Sequence, residues 1–284
     1  MGLGETRRRR GLRALNPLSR PMSRVYARGR TVAGVIRSLL TYYVGRERRR
    51  DMDHLYRRFL RPGDLAFDVG SHVGDRIAAF RRLGAAVVAV EPQPALSRLL
   101  RAVYGRDPSV FIEAVAVGAR PGSVELLINR SNPTVSTASP EFVSAAAGAA
   151  GWEGQEWDDR LRVPQTNLDA LIGSHGTPAF IKIDVEGYEA EVLAGLSIPV
   201  PALSFEFTTI QRPLARLCLA ACQKLGDYRF NAALGESQCL EFDRWVTAAE
   251  MAGWVDALPH QANSGDVYAA RVLKPGAEVA FQGP

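Results

Sequence analysis

Residues 64–80 read DLAFDVGSHVGDRIAAF. The apolar run LAFDV gives way to a turn with Gly70 and Gly74 on either side of His72, and apolar residues then recur at helical spacing from Arg76 to Leu83. Such a run suits a strand buried on both faces, and the pattern beyond it suits a helix. Glycines at the turn let the backbone reverse sharply and approach a ligand closely, and the helix start presents free N–H groups. Asp68 stands at the strand's end, the edge at which open parallel sheets collect their ligands.

Outward from this unit, apolar runs and amphipathic stretches alternate. AAVVAVE (85–91) reads as a strand, 95–104 as a helix and VFIEAVAV (110–117) as a strand; GSVELLIN (122–129) follows a turn and is expected to be antiparallel. A polar and alanine-rich interruption over 131–162 reads as a substrate-side lid. Alternation resumes with AFIKID, a helix over 188–196, ALSFEF, a helix over 213–225, YRFNA and DVYAARV. The pattern predicts right-handed crossovers and a parallel sheet covered on both faces.

The turn excludes one ligand class. Dinucleotide binding needs glycines at relative positions one, three and six, and from Gly70 those positions hold Gly70, His72 and Asp75. A pyrophosphate also sits poorly beside Asp68 and Asp75. Carboxylates suit a cofactor that carries an ammonium, such as the methionine end of S-adenosylmethionine. Glu91 ends the second strand, where an acid takes ribose hydroxyls.

FDVGSHVGD, AVAVGARPGSVEL, LDALI, IKIDVEGYEAEVLAGL, LSFEF and GDVYAARV, in order and in spacing over about 55–272, resemble the FkbM family of S-adenosylmethionine-dependent methyltransferases. The resemblance implies an α/β, Rossmann-like class I methyltransferase fold: a mostly parallel seven-stranded sheet with helices on both faces and a final antiparallel strand inserted among parallel ones. It implies O-methylation of a hydroxyl on a sugar, polysaccharide or secondary metabolite. Asp68, Gly70, Ser71 and Gly74 then correspond to the methionine-binding turn, Glu91 to the ribose acid, and Glu113 and Ala114 to positions beside adenine. His72 stands where the family usually has Asn; it tolerates the left-handed backbone and either shapes the turn or replaces an Asn contact to the cofactor.

Methyl transfer to an alcohol requires alignment, exclusion of water and removal of a proton. Asp184, Glu186 and Glu206 converge on one sheet edge if their strands are neighbours, with Asp184 or Glu206 as base and Glu186 as a positioning group. Carboxylates this close also suit a divalent cation, but no metal is the favoured reading. Acids such as Glu189 also suit a helix's first turn. Thr134, Ser136 and Thr137 in the interruption read as groups that order it over the substrate or as solvated hydroxyls; His54, His175 and His260 stand in isolation.

The charge is divided unevenly. Residues 1–61 hold 17 Arg, no Lys and four acids, a net +13, within a chain whose total is +5, so the remainder is acidic at −8. The expected organisation is an Arg-rich disordered tail over 1–30, an amphipathic helical extension over 31–61, and a methyltransferase domain over 62–284. Val32, Val35, Ile36, Leu39, Leu40 and Tyr43 form one apolar face opposite Arg37, Ser38 and Thr41. That helix either packs on the domain or lies on a membrane surface. MGLGET fits a myristoylation pattern, and the basic start also permits a transit peptide. Cys218, Cys222 and Cys239 suit core packing in a reducing cytoplasm and not a disulfide framework. The alternatives to a glycan or small-molecule enzyme are a nucleic-acid methyltransferase using the basic tail and a non-catalytic, tail-tethered module.

Overall fold

The structure is a computed structural model that describes residues 29–40 and 46–272. In chain order the helices and strands are α1 (29–40), α2 (Arg46–Tyr56), β1 (Leu65–Val69), α3 (Asp75–Arg82), β2 (Ala86–Val90), α4 (Pro94–Tyr104), β3 (Val110–Glu113) and β4 (Ala116–Val117). Then come β5 (Gly122–Ile128), α5 (Pro140–Ala146), β6 (Asp159–Thr166), α6 (Leu168–His175), β7 (Phe180–Ile183), α7 (Glu189–Ala194) and β8 (Ala202–Thr208). The described residues end on α8 (Arg212–Leu225), β9 (Tyr228–Leu234), α9 (Ala248–Ala257) and β10 (Ser264–Arg271). The 1–28 tail and the myristoylation pattern lie outside the described residues.

Seven strands form one sheet in the order β3-β2-β1-β7-β8-β10-β9. All neighbours are parallel except β10, which runs against both β8 and β9. Order reverses between β1 and β7, so the carboxyl ends of these two strands flank the switch-point crevice. Along each strand the side chains alternate between faces. Phe67, Val69, Ile181, Ile183, Leu203 and Phe205 pack with α6–α9. Ala66, Phe180, Ala202 and Tyr268 pack with α2 and α3.

VFIEAVAV, expected as one strand, is two. Val110–Glu113 pairs with β2, whereas Ala116–Val117 pairs with β6 in a separate three-stranded sheet, order β4-β6-β5. β5 is antiparallel to β6, as its turn implies, but in this smaller sheet. The 131–162 interruption holds a short 3-10 turn at Pro133–Val135, α5 and the start of β6. Ser139 caps α5 by accepting from the Phe142 N–H, with Pro140 at the first helical position. Val135, Phe142, Ala146 and Trp152 give this segment a small core of its own.

The packed unit begins upstream of the Pro62 boundary. Met52, Leu55 and Tyr56 of α2, with Phe59, are buried. Tyr56 meets Phe80 edge-on at 4.8 Å, and Phe59 stacks on Phe180 at 4.9 Å and on Tyr268 at 5.6 Å. Such aromatic contacts add to the area they bury. Cys218 and Cys222 are buried on the α8 face of the core and Cys239 is exposed, all three as free thiols.

Candidate active site

Two cavities meet at the carboxyl edge of β1, β7 and β8. The first, of ≈ 900 Å³, includes Asp68, Gly70, Ser71, His72, Glu91, Val115, Val117, Asp184 and Glu186 in its lining. The second, of ≈ 1000 Å³, shares Asp184 and Glu186 and adds Glu206, Asp266, Asn132, Trp152 and Asn263. Asp184 and Glu186 thus stand at the boundary between them.

The β1–α3 turn is held by its own amides. The Gly70 and Ser71 N–H groups both donate to the Val90 carbonyl at 3.0 Å, the His72 N–H donates to Glu91 Oε2 at 3.0 Å, and Ser71 Oγ donates to the Asp68 carbonyl at 2.7 Å. Amides engaged in this way leave no cradle for a pyrophosphate. Gly70 sits at φ 86, and a Cβ there would lie 1.8 Å from the Asp184 carbonyl oxygen, so glycine lets β1 and β7 converge at their ends. Gly74 is outside the cavity lining; a Cβ on it would meet Leu100 and Tyr104 at 2.8 Å, and its role is to seat α3 against α4.

Glu113 and Ala114 are also outside the lining, which takes in Val115, Ala116 and Val117 instead. Glu113 is drawn away by His175, whose Nε2 is 3.0 Å from its carboxylate. His72 is left-handed at φ 48, and its Nε2 lies 3.3 Å from Thr134 Oγ1. Burial holds its proton affinity down, to about 4, so the ring is neutral at pH 7 and links the turn to the 131–162 segment. Thr137 Oγ1 donates to the Glu186 carbonyl at 2.6 Å, and Ser136 Oγ accepts from the Asn129 N–H. Both hydroxyls are buried and fasten that segment to the site.

The carboxylates divide into two sorts. Burial, reinforced by Asp75, raises Asp68 to about 7, and its Oδ2 is buried without a hydrogen-bond partner. Burial raises Glu91 to about 8 despite amide N–H donors from Gln93 and His72. On the other side, single oxygens of Asp184, Glu186 and Glu206 lie within 4.8 Å of one another. Burial first, and then mutual repulsion, push Glu186 and Glu206 well above the ordinary carboxylate range. Glu186 is held at φ 55 by the loop after β7. Glu189, 1% exposed, shapes that loop by accepting from the Val185 and Gly187 N–H groups at 3.0 and 3.2 Å.

Three charged residues of the site escaped the reading of the sequence. Lys182, 1% exposed, donates to Asp184 Oδ2 at 3.0 Å and to Asp266 Oδ1 at 2.9 Å. Burial opposes its charge, but the two aspartates outweigh it and keep it protonated. Asp266 stands directly opposite Glu206 in the β10–β8 register. A lysine inside the otherwise apolar FIKI strand was the available signal, because a buried charge requires a partner. Arg76 is the third. It lines both cavities, pairs with Asp75 and Glu236, and leaves its buried Nε without a partner.

A doubly wound sheet with one reversed strand next to its edge, a strand-end acid trio and a glycine turn free of the dinucleotide pattern fit a class I, S-adenosylmethionine-dependent methyltransferase. The Methyltransferase FkbM domain matches residues 68–230, more than half of the chain, and the chain belongs to that family. Similar solved structures include precorrin-6y C5,15-methyltransferase from Geobacter metallireducens: 12% identity, 81% of this chain and 89% of that one covered, TM-score 0.42. An O-methyltransferase from Bacillus cereus in complex with SAH shares 9% identity over 87% and 90% of the two chains, TM-score 0.40. Fibrillarin from Aeropyrum pernix, with natively bound S-adenosyl-L-methionine, shares 11% over 74% and 67%, TM-score 0.34. No curated protein matches the chain.

Proposed function

We propose that this methyltransferase acts on a hydroxyl of a sugar, a polysaccharide or a hydroxylated secondary metabolite. The carrying observation is the carboxylate trio, of which Asp184 and Glu186 stand at the boundary of the two cavities and Glu206 lines the second, with Glu186 and Glu206 raised in proton affinity. A hydroxyl must lose its proton as its oxygen takes the methyl, and a carboxylate with raised affinity is a matched recipient. Asp184 is tied to Lys182, whereas the Glu206 side chain has no hydrogen-bond or ion-pair partner among the described residues. Glu206 is therefore the proton acceptor, and Glu186 positions the hydroxyl. Trp152, Asn132 and Asn263 add an aromatic surface and amides to the second cavity, groups suited to a polyhydroxylated ligand. Its acids, Asp184, Glu186, Glu206 and Asp266, oppose the phosphates of a nucleic acid.

S-adenosylmethionine, when bound, supplies an electrophilic sulfonium methyl. The residues of the first cavity fit it. The unpartnered Asp68 oxygen suits the ammonium; each Glu91 oxygen takes one amide N–H and keeps a lone pair for a ribose hydroxyl. Val115 and Val117 offer an apolar wall to the adenine.

A second reading rests on the same trio, since oxygens at this spacing suit a divalent cation. Transfer of a radiolabelled methyl group to a panel of glycosides and polysaccharides tests both. An O-methyl product, with turnover lost in Glu206→Gln and kept in EDTA, supports the base. Loss in EDTA with recovery on Mg²⁺ makes the trio a cation site. A product methylated on nitrogen or carbon overturns the hydroxyl assignment.

A further inference from the structure

α1 divides its apolar residues: Val35 and Leu39 are half-buried, whereas Val32, Ile36 and Leu40 point outward. Gly34 and Ser38 are buried. The contact at Gly34 is close: a Cβ there would lie 2.7 Å from Pro133 Cδ and 2.8 Å from the Arg130 carbonyl oxygen. Arg30 donates to Asp158 Oδ2 at 2.7 Å and to Ser131 Oγ at 2.6 Å. A small and polar side therefore binds the helix to the 131–162 segment. Val32, Ile36 and Leu40 are left 58%, 52% and 63% exposed. Four-residue spacing sets them in one line along the helix, over about 12 Å. The other large apolar side chains exposed among the described residues, Val103, Phe111, Ile198 and Leu217, sit one each on α4, β3, the loop after α7 and α8.

Charge says what this ridge meets. From residue 6 to residue 46 the sequence holds eleven arginines and no acid. An apolar line flanked by arginine complements an anionic lipid surface, into which the ridge sinks while the cations engage headgroups. We propose that α1 is a membrane-surface helix that docks this enzyme on an anionic bilayer. Arg37 and Ser38 of the same helix line the second cavity, so docking sets that cavity beside the lipid surface. The inference does not depend on the identity of the acceptor.

The full chain is sedimented with vesicles of phosphatidylcholine alone and with about 30 mol% phosphatidylglycerol. Capture by the anionic vesicles and not the neutral ones is expected, with loss of about tenfold or more in partitioning for a Val32→Asp/Ile36→Asp/Leu40→Asp variant. S-adenosylhomocysteine binding, measured by calorimetry on the same variant, should be unchanged and reports that the domain remains folded. Equal capture of parent and variant would assign any binding to the arginines alone and overturn the role of the ridge. No capture of the parent, with a dimer that the variant abolishes, would make the ridge a contact between two copies.

Discussion

The β1–α3 and β7–α7 units are built alike and do opposite electrostatic work. Each is a buried strand followed by an aspartate-bearing end, a loop with left-handed residues and a helix: His72 at φ 48 in one, Glu186 at φ 55 in the other. In the first, the loop amides bind Val90 and Glu91, and Asp68 is left as an acceptor for a cation. In the second, Glu189 takes the loop amides, and Glu186 stands close to Asp184 and Glu206, with Glu186 and Glu206 holding their protons more tightly. On the proposed reading, one scaffold yields a cation seat and a proton acceptor, according to which side chain collects the N–H groups.

The two units touch at Gly70, and breaking that contact should have the largest effect. A Cβ 1.8 Å from the Asp184 carbonyl oxygen has no room, so Gly70→Ala is expected to cost about 4 kcal/mol or more, or to prevent folding. Gly63 is also left-handed, at φ 90, but a Cβ there meets nothing within 4 Å. Gly63→Ala should cost only about 1–2 kcal/mol, the backbone strain alone. Equal denaturation midpoints for the two variants would mean that the strand ends separate readily.

Lys182 ties the second unit to β10. Removing a buried cation from between Asp184 and Asp266 strands their charges, and Lys182→Met should lose about 3–5 kcal/mol. Adding Asp266→Asn should recover part of that loss; strictly additive costs in urea titrations would deny the coupling. Next in size, Glu206→Gln should lower kcat by about 10²–10⁴-fold while leaving S-adenosylhomocysteine affinity within about threefold. Because the carboxylate must lose its proton to act, parent activity should climb with pH through its raised titration, and the Gln variant should lack that limb. A matching pH profile in both would remove Glu206 from proton transfer.

Much of this was legible in the residues, for physical reasons. Strong period and punctuation marked every strand of the main sheet, and strand-end acids follow directly from strand order. The split of VFIEAVAV was not legible, because both halves are equally apolar and only the distant β6 offers the second half a partner. What Gly74 serves was not legible for a similar reason. A glycine required by a ligand and one required by Leu100 and Tyr104 look the same in sequence. Nor does helical periodicity say which face of α1 turns inward; the apolar stripe was visible, but the buried side is decided by Gly34 and Arg30 against residues a hundred positions away.

The smallest expected effect sharpens the contrast between the two units, because it separates a seat waiting for a cation from an acid that holds its proton. Burial raises Asp68 to about 7 and Glu91 to about 8, whereas in the unfolded chain both ionise near pH 4. These two groups bind more protons in the folded protein without cofactor across that window, so their contribution to stability is fullest below about pH 4 and is lost as pH rises through about 7 to 8. A ligand ammonium beside Asp68 favours the ionised form and releases the proton. S-adenosylhomocysteine affinity should therefore rise about tenfold from pH 6 to pH 8, with proton release visible as a dependence of the calorimetric heat on buffer ionisation. Asp68→Asn should weaken binding at pH 8 and flatten that rise, while Glu206→Gln should leave it intact. An affinity independent of pH in the parent would mean that Asp68 is already ionised before the ligand arrives, and the distinction between the two strand ends would then rest on Glu186 and Glu206 alone.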